Sequence, residues 1–263
     1  MLLGMTRRNL LAATAAAGLS ATAMQAQKFP PRNYIELTYY WCRNSADGQM
    51  QRITEFLKEG MAPAADKAGV KGHGYFGQLV APKGPFVMSI MGFPSFAGIE
   101  DVKRKLFSDA ALQKAIGKLN STPGLGFTRV ESRLMRGFPT FPEIQTPKAA
   151  EATRVFELRT YESNNFTTLG GKIGMFDNGE IDIFRKVGMT PIFFGETIYG
   201  GDMPNLTYML AYDSLAHREK TWSAFVNDPD WAKLRATPGL SDAEVVSNIS
   251  STFLRPLPFS PIR

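Results

Sequence analysis

One cysteine and two histidines are all that this chain of 263 residues offers in thiol and imidazole metal ligands. Cys42 has no partner, so no internal disulfide can form. A zinc site of ordinary composition would need several carboxylates to complete it. Long apolar runs are also missing: no stretch past the N-terminal segment nears the roughly 20 residues that cross a bilayer, so no stable membrane insertion is expected. Blocks of one charge are absent as well. The formal net charge is +6; setting aside residues 1–26, which carry Arg7 and Arg8 and no acid, leaves 28 basic against 24 acidic residues. An excess that small and that scattered reads as a solvated surface, not as a nucleic-acid-binding one. A serine-nucleophile motif, a P-loop and a dinucleotide glycine fingerprint are all lacking. Gly170-Gly171 and Gly200-Gly201 have no flanking pattern that would cradle phosphate.

What is present begins with an address. Thr6-Arg7-Arg8-Asn9-Leu10-Leu11 sets paired arginines before an alanine-rich, weakly apolar stretch, and Ala21-Thr22-Ala23 supplies the small residues a signal peptidase reads. The arginine pair makes residues 1–26 a Tat-type signal, used by folded proteins leaving a bacterial cytoplasm. The expected location is therefore periplasmic or secreted.

The remainder is built twice. Leu206–Tyr212 is an apolar strand, Asp213 or Ser214 can N-cap a helix directly after it, and Leu215, Trp222, Phe225 and Val226 recur at helical spacing. Asn227-Asp228-Pro229 ends that run before a short second helix. The same layout occupies Phe86–Ala115, with Phe86 opposite Leu206, Asp109 opposite Asp228 and Leu112 opposite Trp231. Tyr34–Trp41 and Arg154–Tyr161 are matching first strands, setting Glu36 opposite Glu157 and Tyr40 opposite Tyr161. Residues 49–68 read as a helix that Pro63 should kink or interrupt. Thr122-Pro123-Gly124-Leu125 returns as Thr237-Pro238-Gly239-Leu240, and the Pro-rich stretch 138–152 links the copies. The expected domains are residues 28–137 and 153–259.

Each copy reads β-α-β-β-α-β, the ferredoxin-like order. Such a sheet buries one face under helices and leaves the other open, so two copies can cover each other. The fold class expected is α+β: two tandem ferredoxin-like domains pairing as a pseudo-dimeric α/β barrel.

FELRTY at 156–161, LAYDSLAHRE at 210–219 and FVNDPDW at 225–231 resemble the NIPSNAP family. The likeness is clear in the second half and diverged in the first, where Phe93 stands for Asp213 and Ala110 for Pro229. It implies the dimeric α/β-barrel fold. The family has no agreed catalytic residues to carry over, and related barrels include monooxygenases, degradative enzymes and haem-binding proteins.

Candidate ligand-binding residues lie on the polar face of each first strand, if that face looks into the space between the sheets. They are Glu36 and Tyr40 in the first copy and Glu157, Arg159 and Tyr161 in the second, with His73 near the cavity mouth. Each has a plainer reading. Glu157–Arg159 can be an ion pair that fixes the sheet, and His73, beside two glycines, a turn residue. Tyr39, Tyr40 and Trp41 form an aromatic cluster that can line a pocket or fill a core. The expected function is binding of a small aromatic or anionic molecule between the two sheets. A cofactor-free oxygenase or other degradative enzyme of the barrel type and a protein-interaction module are the alternatives. No cofactor is expected, haem being the minor exception, and a homo-oligomer is compatible with the sequence.

Overall fold

The computed structural model describes residues 32–148 and 154–263. The expected signal segment 1–26 and the last residues of the expected linker lie outside the described residues. The first half contains β1 (Tyr34–Trp41), α1 (Gln49–Phe56), α2 (Ala62–Lys67), β2 (His73–Val80), β3 (Phe86–Phe93), α3 (Phe96–Ser108), α4 (Ala110–Ser121) and β4 (Arg129–Gly137). The second half contains β5 (Val155–Ser163), α5 (Phe166–Met175), α6 (Ile181–Lys186), β6 (Thr190–Tyr199), β7 (Asn205–Tyr212), α7 (Leu215–Val226), α8 (Pro229–Arg235), one turn of α9 (Asp242–Val245) and β8 (Val246–Pro256).

The strands close into a barrel in the order β1-β3-β2-β8-β5-β7-β6-β4. Each half is thus a ferredoxin-like sheet, β4-β1-β3-β2 or β8-β5-β7-β6, and the two are joined at the seams β2–β8 and β4–β6. This is the pseudo-dimeric α/β barrel expected from the sequence. Both edges of each sheet are paired within the chain, so closing the barrel takes no second copy.

The central strands back onto two cores, one inside the barrel and one under helices. All eight residues of β7 are buried for that reason. Ile35, Leu37, Met88, Ile90, Phe156, Leu158 and Met209 fill the interior. Tyr161, Tyr208, Leu210 and Tyr212 face the second helix layer with Phe176, Phe184 and Phe225. Tyr75, Val87 and Phe93 face the first with Ile53, Leu57 and Leu112.

Local signals hold where a side chain acts on its own backbone. Asp109 and Asp228 both cap the helices after them: Asp109 accepts from the amides of Ala111 (2.9 Å) and Leu112 (3.1 Å), Asp228 from those of Asp230 (2.8 Å) and Trp231 (3.3 Å). Of the two candidate caps of α7, Ser214 is the one that bonds, accepting from His217 N at 3.0 Å. The helix expected over 49–68 widens into a π turn at Leu57–Met61, and Pro63 lies in the first turn of α2 directly after it, so the regular helix is interrupted next to the proline.

One expectation is corrected. Trp41 pairs with Phe86, while its equivalent Glu162 pairs with Asn205 and Tyr161 with Leu206. Phe86 therefore corresponds to Asn205, not Leu206. A slip of one residue exchanges the faces of a strand, and Phe86 does point into the barrel while Leu206 points at the helices. The Pro-rich stretch, in turn, packs into the protein: Phe138 and Phe141 are buried against Phe194, with ring centroids 5.8 and 5.0 Å away.

Candidate functional site

The polar face of each first strand does not look into the barrel. Interior positions on β1 are Ile35, Leu37, Tyr39 and Trp41; Glu36 and Tyr40 alternate with them and face the helices. Glu36 accepts from Lys103 Nζ of α3 at 2.8 Å, and Tyr40 lies edge-on to Phe56 of α1. His73 is buried, with Nε2 3.0 Å from Asp66 Oδ1; burial pushes its pKa down against the pull of Asp66. Glu157, Arg159 and Tyr161 face the second helix layer. The six residues are thus spread over two helix layers, and only the last three meet.

Those three anchor a packed ionic and aromatic network. The fully buried Glu157 carboxylate accepts from Arg159 Nη1 (2.7 Å) and, side-on, from Arg218 Nε and Nη2 (both 3.0 Å). Trp222 Nε1 is shared between Glu157 (3.3 Å) and the Tyr212 hydroxyl (2.9 Å). Burial alone would raise the Glu157 pKa; the Arg218 hydrogen bonds and the charge of Arg159 overturn that and hold it below its ordinary value. Arg159 also donates to Ser251 (3.0 Å) and to the Tyr161 hydroxyl (3.2 Å), and lies 4.6 Å from the Trp222 ring centroid. Nearby, the buried Lys172 ammonium donates to Glu180 (3.3 Å) and Asp242 (3.1 Å) among the rings of Tyr161, Phe176 and Trp231. Of the two readings of Glu157–Arg159, this geometry is the structural ion pair.

The open space is on the other side of the sheet, at the end of the barrel where the β2–β3 and β6–β7 hairpins turn. There the seams part. β4 pairs with β6 only from Leu134 to Gly137, so Arg129–Arg133 have β1 as their sole strand partner. Likewise β8 meets β2 only from Phe253 to Pro256. Between the parted strands lies a cavity of about 630 Å³ lined from both halves.

Its walls differ in chemistry. The first half supplies Tyr39 and Trp41, stacked with centroids 5.8 Å apart, and Phe86 edge-on to both at 5.2 Å. Burial pushes the Tyr39 hydroxyl up to about 12. The second half supplies Leu158, Thr160, Ser250 and Thr252. Behind Thr160, buried hydroxyls and an amide are linked: Thr160 to Thr207 (2.9 Å) and Thr197 to Asn205 (2.6 Å). The rim is ionic. Arg129 lies 4.7 Å over Trp41 and donates to Glu131 at 2.5 Å, and Arg133 donates to Asp202 at 2.8 Å. Such a site can stack a planar ring, offer hydroxyls to its substituents and meet a negative charge.

Sequence reasoning named Tyr39 and Trp41 only as part of an aromatic cluster that can line a pocket or fill a core, and missed Arg129, Glu131, Arg133 and Asp202. A signal was there, since Arg129, Glu131 and Arg133 alternate on one face of a strand whose later members, Met135 and Gly137, are core. Neither histidine lines the cavity, and among the described residues no group of three or more His, Cys, Asp and Glu side chains is placed to hold a metal ion. No helix of the described residues is long and apolar enough to cross a membrane.

Comparison with known proteins relates this geometry to two groups. The model of the NIPSNAP family matches residues 156–261. No curated protein matches the chain in sequence. Among solved structures, a candidate monooxygenase from Lactobacillus acidophilus NCFM has 10% identity and a TM-score of 0.57, with 85% of this chain and 93% of that one covered. A second candidate monooxygenase, from Fusobacterium nucleatum, has 6% identity and a TM-score of 0.55, covering 86% and 93%. A NIPSNAP-like domain protein from Burkholderia xenovorans has 19% identity and a TM-score of 0.37 over 41% of this chain and 89% of its own. The first two share the barrel fold; at such identities the likeness extends to the fold alone.

Proposed function

We propose that the chain is an exported protein of two tandem NIPSNAP-type domains, 28–137 and 153–259, that binds a small aromatic or anionic molecule at the barrel mouth between its two sheets. The cavity walled by Tyr39, Trp41 and Phe86 on one side and by Thr160, Ser250 and Thr252 on the other carries the reading. Its volume of about 630 Å³ suits a small molecule, since such sites span roughly 300–1,000 Å³. The family match over 156–261, and the same strand order in the half before it, support the tandem organisation. Arg7 and Arg8 support export to the periplasm by the folded-protein route; replacing both with lysine should strand the precursor in the cytoplasm, and unimpaired export would argue for an ordinary secretory signal.

Binding is read from tryptophan fluorescence, because Trp41 lines the cavity while Trp222 and Trp231 lie in the second helix layer. A planar probe such as 2-naphthol should quench saturably. Thr252→Trp, which fills the cavity from β8, should abolish the binding without lowering the melting temperature by more than a few degrees. Saturable binding that survives Thr252→Trp would move the site elsewhere. The second reading, a cofactor-free oxygenase, uses the same cavity and is favoured by its aromatic wall, which can hold a phenol or quinol out of water. Oxygen uptake with hydroquinones separates the two, and no uptake under any condition would leave binding alone.

A further inference from the structure

We infer that the ligand of this cavity is an aromatic monocarboxylate, and that Asp202 occupies the carboxylate's place on Arg133 until it binds. The inference rests on the proposed reading of the barrel mouth and adds the ligand's charge and the residues that select it.

Arg133 is an interior residue of β4, paired across the sheet with Leu37, and its side chain is only 24% exposed. Its stem lies along Gly200, where a Cβ would come within 3.1–3.2 Å of the arginine's own Cγ and Cβ. Room for the arginine's stem thus depends on a residue without a side chain. The fork ends at the cavity rim, where Nη2 donates to Asp202 Oδ2 at 2.8 Å.

Asp202 is held there against its backbone preference. Its φ of 61° makes it the one non-glycine with positive φ among the described residues. Asparagine and aspartate tolerate that region better than other residues, yet it is sparsely populated, and such outliers gather at functional sites. The constraint comes from inside the barrel. Asn205, fully buried, donates from Nδ2 to the carbonyls of Gly201 (3.0 Å) and Asp202 (2.9 Å) while its Oδ1 accepts from Thr197 (2.6 Å). A core asparagine therefore aims a half-exposed aspartate at a half-buried arginine across the mouth of a cavity.

Charge then chooses the ligand. The charged lining residues are Lys83, Arg129 and Arg133 against Glu131 and Asp202, one positive charge in excess. One added carboxylate balances it. A carboxylate entering with its ring against Tyr39 and Trp41 can take both oxygens to the Arg133 fork, while Asp202, already 51% exposed, turns to water. Arg133 keeps an anionic partner before and after the exchange, so no buried charge is stranded. A neutral phenol can stack in the cavity but cannot displace Asp202.

The test uses 2-naphthoate and 2-naphthol at pH 7, two probes alike in ring and unlike in charge. The wild-type protein should bind the naphthoate severalfold more tightly, because the exchange trades the single Arg133–Asp202 bond for a two-point grip and so gains less than a wholly new charge-assisted hydrogen bond. Arg133→Met should erase that preference and leave 2-naphthol binding in place; Arg133→Lys, which keeps the charge without the fork, should retain part of it. Asp202→Asn removes the resident competitor and should tighten the naphthoate severalfold with 2-naphthol unchanged. Equal affinity for the two probes, or weaker naphthoate binding in Asp202→Asn, would overturn the inference while the cavity reading stands. Failure of both probes to bind would overturn both.

Discussion

Replacing Arg159 with methionine should cost stability and leave binding at the barrel mouth untouched. The arginine would lose its 2.7 Å bond to Glu157, its bonds to Ser251 and Tyr161, and its place over Trp222. Glu157 would not be orphaned, because Arg218 still grips both of its oxygens at 3.0 Å. The cost is therefore that of a lost charge-assisted hydrogen bond, about 1.5–3 kcal/mol, and not the roughly 3–5 kcal/mol of a broken buried pair. For a protein of this size each kcal/mol is worth about 2–4 °C, so the melting temperature should fall by roughly 3–12 °C. Methionine keeps the stem and its packing, which confines the loss to the polar head. Glu157→Gln is the companion variant: it strands two guanidiniums at once and should cost more than Arg159→Met. Calorimetry of both variants, with 2-naphthoate titrations on the same samples, gives the two readings together. An Arg159→Met protein with wild-type melting and weakened naphthoate binding would refute the reasoning, for it would put Arg159 within reach of the ligand.

Two further outcomes are expected. Residues 28–142 produced alone should aggregate or pair with themselves, because β4 would lose β6, β2 would lose β8, and the interior face of the sheet would be open to water; a monomer with sharp cooperative melting would contradict that. Glu180 is pushed up to about 7 by burial, against the pull of Lys172. The native state thus holds a proton that an unfolded glutamate, with a pKa of about 4.3, has released, and the Glu180 contribution to stability should decline as pH rises from about 4.5 to 7 and level off above, while His73, pushed down by burial, acts with the opposite sign. Glu180→Gln should flatten that decline, and a denaturation series showing the same slope in both proteins would reject the assignment.

The architecture was legible because it rests on local signals. Asp109 and Asp228 cap their own helices, and the strand period in Tyr34–Trp41 is set by the pleat. The site was misread for a physical reason. In a strand that is buried on both faces, alternation says that the faces differ but not which one looks into the barrel. Polar side chains on a strand suit the interior of a ligand cavity, whereas here the carboxylate of Glu157 faces the helices and is neutralised by Arg159 and by Arg218, 61 positions away on α7. Nothing in the strand announces that partner. The cavity itself depends on where the seams part, and seam pairing joins residues such as Met135 and Thr197 that no local pattern relates.

Covalent fusion of the two halves bears on what such a mouth can recognise. β1 and β5 are equivalent and run the same way along the barrel, so two identical halves would present every mouth residue twice around the barrel axis. A ligand there would meet the same group on both sides and could bind in either orientation. In one chain the two halves need not match, and at the mouth they differ. Tyr39 corresponds to Thr160 and Trp41 to Glu162. By strand pairing, Arg133, opposite Leu37, corresponds to Thr252, opposite Leu158. One wall is aromatic and cationic and the other carries hydroxyls, so a ring with a single carboxylate has one way to lie.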